Sequence, residues 1–455
     1  MYSLVSIKYW ILSRCLLVSL GALLFSSYSL HAQVGHYNSP YSFYGLGDLQ
    51  SPGLADNLSQ GHTGIAMRSL NNISLSNPAS YTGLYFTCFD LGVHVVSSSL
   101  NDSNNTQTVS GTGISYLNLA FPATPWLAFS GGLAPYSQVD YTVDEVTQDE
   151  ELGEVQKEYD GFGSLYRFYG GAAGKYKRLS AGFNLAYLFG NQTHLLNVAY
   201  PDQQEDISSF LDIQRNERNQ YGGLMLDFGV QYDWRINEST NLVFGATYKP
   251  KVNIGYQSQQ NWQRVVKNSL TSEVFNVDSV VVFDISELDS EITLPQELGF
   301  GFELKSQKGW SFSGDIKTAA WSKAVINRLE ADQLQDRFSV SLGTSLSPNS
   351  NKEGAINNFW RRVEYRFGMY YDSNYLKLNN TSLPAYGITL GFGIPLRGKV
   401  EAGLLDSGVP FSRLNLSFDL GQKGSTDNQL LQETYFKLTL GFSMNSKWFV
   451  KRRYD

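Results

Sequence analysis

The stretch Arg413 to Leu420, RLNLSFDL, alternates without a break. Arg413, Asn415, Ser417 and Asp419 share one parity, and Leu414, Leu416, Phe418 and Leu420 the other. Side chains of an extended strand point alternately to opposite faces, so the run has one wet face and one greasy face. The same split recurs in Arg337 to Ser347, in Leu224 to Arg235 and in Tyr435 to Met444. A chain made of such runs is all-β.

Two architectures use strands of this kind. A soluble sandwich turns the greasy face inward, whereas a transmembrane barrel turns it outward against lipid. The alternating runs are long, where ordinary strands have about 5 to 6 residues and a membrane strand needs about 9 to 11. Aromatic residues gather near run ends, at Trp126, Trp234, Trp310, Trp321, Trp360 and Trp448, as interfacial girdles require. Tight turns at 175–178, 237–240 and 306–309 alternate with long polar connections near 100–111, 143–158, 190–220 and 257–291. That is the rhythm of short periplasmic turns and long external loops. Only 17% of residues are charged, beside 28 Tyr, 27 Phe and 42 Gly, which favours one large barrel over several domains.

Runs near 84–98, 112–121, 125–142, 161–175, 179–190, 221–235, 241–256, 293–305, 310–321, 336–347, 361–372, 384–396, 411–420 and 433–445 predict an antiparallel β-barrel of about 14 strands. The number is even, and the sequence predicts every long loop on one side. An edge left open in lipid would strand backbone polar groups, so the sheet must close.

The start of the chain follows another pattern. Lys8 and Arg14 flank an apolar run, Cys15 to Phe25, which leads to small and polar residues and Ala32. This is the order of a secretory signal peptide, assigned to residues 1–32, with cleavage after Ala32 or after Ser29. No later segment is a long uninterrupted apolar run, so helical spans are not expected. Cys88 is then the one cysteine beyond the leader, too few for a disulfide framework. The formal net charge is −7, and losing Lys8 and Arg14 makes the remainder more acidic. Nucleic acid is therefore not an expected partner.

Between leader and barrel lie some fifty residues of non-strand sequence. Gly53-Leu54-Ala55, Gly61-His62-Thr63-Gly64-Ile65-Ala66 and Asn71 to Ala79, ending Ser76-Asn77-Pro78-Ala79, resemble the plug segment of the FadL/TodX family. Those are outer-membrane transporters of long-chain fatty acids and other hydrophobic compounds. Pro125-Trp126, Gly131-Gly132-Leu133-Ala134-Pro135-Tyr136 and Asp140-Tyr141 resemble the family's third strand. Leu294-Pro295, Gly299-Phe300-Gly301 and Ala320-Trp321-Ser322 resemble its middle strands. The resemblance implies an outer-membrane location, an N-terminal plug (hatch) at 33–83 inside the lumen, and a barrel at 84–455. The mixture of Gly with Ile65, Ala66, Ile73 and Leu75 in the plug segment argues against a disordered leader. Asn77 and Pro78 suit a local turn.

The resemblance also implies a function. Hydrophobic small molecules would move inward by diffusion, through an apolar lumenal pocket and a lateral opening at the third strand. Here Gly131, Gly132 and Pro135 match the kink. Glycine permits a bulge and proline donates nothing to a ladder; the alternative is a strand that ends near the rim. In the external loops, Asp206, Ile207, Phe210 and Leu211 have helical spacing. With Leu195, Leu196 and Val198 they form a candidate capture groove, or simply pack their loop on the rim. The expected partners are outer-membrane lipids and a hydrophobic ligand. FadL-like barrels that serve protein secretion or surface attachment are the rival reading.

Catalysis finds little support. His36, His62, His94 and His194 are scattered without metal-ligand spacing, and there is no Gly-x-Ser-x-Gly. No cofactor or metal is expected. The acidic run 144–158 lacks the ligand spacing of a calcium loop and is expected to be a solvated loop. Interior charges at Asp315, Lys317, Arg362, Glu364 and Arg366 are expected to pair across the lumen wall.

Overall fold

The computed structural model describes residues 39–448 except for 103–104, 151–152, 200–211, 268–273, 285–289, 327–328, 330, 349–357 and 397–410. The candidate signal peptide, and with it the two cleavage sites, lies outside the described residues.

Fourteen strands form a closed antiparallel barrel. The first six are β1 (Thr87–Asn101), β2 (Thr106–Thr124), β3 (Leu127–Asp149), β4 (Gly153–Tyr176), β5 (Leu179–Ala199) and β6 (Asp212–Asn237). Strand β7 is Thr240–Lys249 continued by Val252–Lys267, and β8 is Val274–Asp284, Ser290–Leu294 and Glu297–Ser306. Pro250 and Pro295 sit at interruptions of these two, where a missing amide breaks the ladder. The circle is completed by β9 (Trp310–Ala319), β10 (Arg337–Leu346), β11 (Glu364–Asp372), β12 (Ala385–Pro395), β13 (Phe411–Gly424) and β14 (Gln432–Ser446). Strand β14 pairs with β1 from Thr87↔Ser446 to Asn101↔Gln432.

The alternation settles which face meets lipid. Leu224, Leu226, Phe228, Val230, Tyr232 and Trp234 of β6 are exposed on the outer wall, while Asp227 and Gln231 between them are buried inside. Strand β1 does the same with Phe89, Leu91, Val93 and Val95 outside and Asp90 and His94 inside. An apolar band facing out around a polar interior is the pattern of a transmembrane barrel of the outer-membrane type.

Two expectations about the connections need correction. The run 143–158 is no loop: β3 and β4 pair out to Asp149↔Gly153, and β5 and β6 likewise pair far beyond the apolar band, to Val198↔Ile213. Beyond the bilayer both faces of a strand are wet, so alternation fades while the ladder continues. Nor do all long connections share one side. The links 347–363 and 396–410 join strands at the end that carries the tight turns.

Residues 39–86 pack inside the barrel wall. They contain a 3-10 turn Pro40–Phe43, a two-residue strand Asp48–Leu49, a helical turn Ala55–Leu58 and a second 3-10 turn Pro78–Gly83. Inward polar side chains of the wall satisfy their backbone. Asp315 Oδ2 accepts from Gly64 N (2.7 Å) and Ile65 N (3.0 Å). Thr389 Oγ1 accepts from Gly61 N (2.8 Å), and Tyr116 OH accepts from Ala55 N (3.1 Å). Gly368 makes this approach possible, because a Cβ there would collide with the backbone of Gln60 and Gly61. The wall's polar parity and the segment's irregular backbone thus serve each other.

Candidate functional site

The seam between β2 and β3 is paired only at its turn end. Partners run from Thr124↔Leu127 to Leu117↔Leu133, where the ladder stops. Beyond that rung β2 continues to Thr106 with β1 as its one partner among the described residues, and β3 continues to Asp149 beside β4. Two register shifts flank the break. Ser115 is an extra residue in β2, between Gly92↔Tyr116 and Val93↔Ile114. Tyr136 is an extra residue in β3, between Pro135↔Tyr166 and Ser137↔Leu165. A bulge bends its strand and raises local twist, so the two strands leave the last rung in different directions.

The leading segment occupies the edge that β3 loses. Asp48 and Leu49 pair antiparallel with Gln138 and Ser137, and Gln50 N donates to Tyr136 O (2.9 Å). Ser39 N donates to Asp140 O (2.8 Å). Ser42 Oγ donates to Asp140 O (3.0 Å) and accepts from Asp140 N (2.9 Å).

Of the residues assigned to a kink, Gly131 and Gly132 remain in the ladder opposite Leu119 and Asn118. A Cβ on Gly132 would meet the Leu117 carbonyl, so this glycine keeps the last rungs close. Pro135 lies beyond the break, next to the bulge. The sequence does not mark the bulges themselves, although one leaves a signal. Ile114 and Leu117 both face outward yet stand three residues apart, a parity slip that an extra residue explains.

Pro135 also borders two adjoining cavities, of about 170 Å³ and about 100 Å³. Ser115 lines the larger, so that cavity touches both strands at the point where they part. The lining differs from the apolar pocket expected. Around the larger cavity stand Asp48, His94, Asp419, Lys423 and Lys437, and around the smaller Arg167, Lys249, Glu297 and Lys317; His62, Arg337 and Asp372 are common to both. The reason lies in the strand parity, since a space bounded by inward side chains inherits their charge. Most of these charges are matched. Arg337 Nη2 donates to Asp372 Oδ2 (2.6 Å), Lys249 Nζ to Glu297 Oε1 (2.8 Å), and Lys423 Nζ to Asp48. Lys437 Nζ donates to the neutral Gln50 Oε1 (3.3 Å).

A greasier cleft of about 280 Å³ lies at the outer end, lined by Pro40, Phe43, Tyr44, Tyr141, Val143 and Tyr159 among others. Tyr141 and Val143 belong to β3, so the cleft runs along the strand that borders the break. Burial pushes the Tyr41 hydroxyl up to about 12, which keeps it neutral as it donates to Leu431 O and accepts from Leu431 N.

The remaining candidates fall elsewhere. Asn77 caps the turn Pro78–Gly83, its Oδ1 accepting from Ala79 N (3.0 Å) and its Nδ2 donating to Ile65 O (2.7 Å) and Val230 O (3.2 Å). Asn77, Pro78 and Ala79 are buried away from both cavities, fastening the segment to the wall. Leu195 and Leu196 lie in β5 rather than in a loop, while Phe210 and Leu211 lie outside the described residues. Glu364 is bracketed by Arg366 Nε (3.1 Å) and Arg413. Arg362, expected in that network, instead lies over the Phe359 ring in a turn-end connection. Among the described residues no three His, Cys, Asp or Glu are grouped to hold a metal.

Comparison with known proteins places this architecture. The BamG family model matches residues 14–455. The chain belongs to the BamG family. No curated protein matches it in sequence. Solved structures do share its fold. The Pseudomonas putida toluene transporter TodX is 16% identical over 88% of this chain and 99% of its own, with a TM-score of 0.56. A Pseudomonas aeruginosa FadL homologue is 11% identical over 89% and 100%, with a TM-score of 0.55. The Ralstonia pickettii toluene transporter TbuX is 13% identical over 87% and 99%, with a TM-score of 0.50. At such identities the likeness carries the fold.

Proposed function

We propose that this barrel is a passive outer-membrane channel for hydrophobic small molecules, which leave it sideways between β2 and β3. One observation carries the reading: the lumenal cavity lined by Ser115 and Pro135 reaches the wall where the ladder between those strands has ended. The aromatic cleft along β3 is the capture site outside, residues 39–86 are the stopper, and Pro135 stands on the exit path. Each methylene gains about 0.8 kcal/mol in apolar surroundings, so a greasy solute is better served by a gap into lipid than by a wet pore. The two cavities beside Pro135 are smaller than the ~300–1,000 Å³ of most ligand pockets, so Asp48–Leu49 must shift from β3 to admit a solute.

A disulfide tests this directly. Leu49 and Ser137 are cross-strand partners, and Leu49→Cys/Ser137→Cys should cross-link the stopper to β3. In liposomes, uptake of a hydrophobic fluorescent probe should fall about tenfold on oxidation and recover on reduction, a loss of ~1.4 kcal/mol. Equal uptake in both states would overturn the side-exit reading.

The charged cavity lining favours a second reading, in which the barrel moves no solute and serves a partner protein in secretion or surface attachment. Protein-free liposomes and liposomes holding the purified barrel would then take up the probe at equal rates.

A further inference from the structure

We infer that the outer edge of β2, Thr106–Tyr116, is a docking edge for an extended segment of another polypeptide, which adds to the barrel wall as a strand. This inference requires only the ladder break and does not rest on transport.

The break leaves two edges, and the chain treats them differently. The β3 edge is covered by Asp48–Leu49, Ser39 and Ser42, and it carries Pro135, Asp140, Asp144 and Glu145. The β2 edge has no partner among the described residues. Its sequence, TQTVSGTGISY, contains no Lys, Arg, Asp, Glu or Pro. Proteins commonly guard exposed edges with charge, proline or a covering segment. Apart from the bulge at its base, this edge has none of these, and Thr106, Thr108, Val109, Thr112 and Ile114 favour strands.

Position narrows the occupant. The outward residues of β1 are apolar through Val95, which pairs with Thr112, and then become Ser97 and Ser99, of which Ser97 pairs with Ser110. Thr112–Tyr116 therefore lies at the depth of the bilayer, with Thr112 and Ile114 turned outward, where an amide or carbonyl left open to lipid is costly, and Thr106–Gly111 stands above the apolar band. Only another backbone satisfies such a row of groups in register, by strand addition. The neutral edge fits a neutral strand. A second copy fits poorly, because two barrels of one orientation would bring their β2 strands together in parallel, the less stable pairing. The favoured occupant is an uncharged segment running antiparallel to β2, from the bilayer outward.

The test uses the full barrel in lipid nanodiscs and a synthetic peptide copying Val93–Asn101, which already pairs antiparallel with the other edge of β2. In the free barrel, amide hydrogen exchange in Thr106–Gly111 should be at least tenfold faster than in the β14–β1 seam, and peptide should slow it to the seam's rate. Thr108→Lys/Thr112→Lys, at two exposed positions, should weaken peptide binding at least tenfold, whereas Thr108→Ser/Thr112→Ser should not. The inference is overturned if the free edge is already protected, if millimolar peptide protects nothing, or if the lysine variant, shown by gel mobility to be folded, binds as well as the wild type.

Discussion

Two seams of this barrel invite comparison. The β14–β1 seam joins the ends of the sheet, the most distant strands in sequence, and it is paired over the full length of β1, from Thr87 to Asn101. The β2–β3 seam joins strands separated by a two-residue turn, yet it parts after Leu117↔Leu133. Proximity in sequence therefore does not decide which strands stay together. The closing seam has side-chain parity in step on both strands, while the other is set out of step by an extra residue on each, Ser115 and Tyr136. A closed barrel removes open edges from lipid; here one is reintroduced beside the lumenal cavity.

Proline separates the two seams most sharply. Leu438→Pro removes a β14 amide flanked by ladders on both sides, where a sheet interior does not accept proline, and should abolish the heat-modifiable folded band on a gel. At the open edge, strand amides alternate in direction, so of Val109→Pro and Ser110→Pro one should fold normally and the other should not. If both fail, the β2 edge is paired after all.

The last rung is the next place to intervene. Gly132→Val drives a side chain into the Leu117 carbonyl, an overpacking that should cost about 1–3 kcal/mol. Amide exchange should then rise at Leu117 and Asn118 with no change in the β14–β1 seam; an unchanged rate would mean that the rung gives way freely. Ser42→Ala deletes the hydroxyl that serves both the N–H and the C=O of Asp140. Losing both bonds at this buried site should cost about 1–3 kcal/mol, read as proteolytic release of residues 39–50 at lower denaturant.

How far the sequence disclosed this difference depends on which face the residues wet. Alternation marks every barrel strand where one side meets lipid and the other the lumen, and the aromatic ends mark the borders. Above the apolar band the signal vanishes, which is why the paired run 143–158 reads as a loop. Pro135 points to the right stretch of β3, but the actual irregularity, Tyr136, depends on what Asp48–Leu49 contributes from far away in the chain. The cavity lining was legible in principle, since Asp419, Lys437 and Arg337 all have inward parity. The expectation of an apolar pocket came from resemblance, and the residues themselves outweigh it.

The smallest expected effect serves as a control on the opposite side of the mouth. Asp336 Oδ1 accepts from Ser322 N (3.0 Å) and Ser322 Oγ (2.6 Å), and these bonds hold its carboxyl below the usual range. A depressed carboxylate stabilises fully at neutral pH and loses that contribution as pH falls through its folded value. A spin label at Lys323 should therefore gain mobility on acidification, and in Asp336→Asn already at neutral pH. The β2–β3 seam should not respond in either case.

Cys88 is wholly buried and unpaired, opposite Ala120 on one side and Asn445 on the other. Downstream of Cys15 it is the chain's sole sulfhydryl. Reagents in the surrounding water therefore have nothing native to attack in the folded barrel, so a reporter dye or cross-linker placed by design reads out its own location, with the wild-type polypeptide as a silent background.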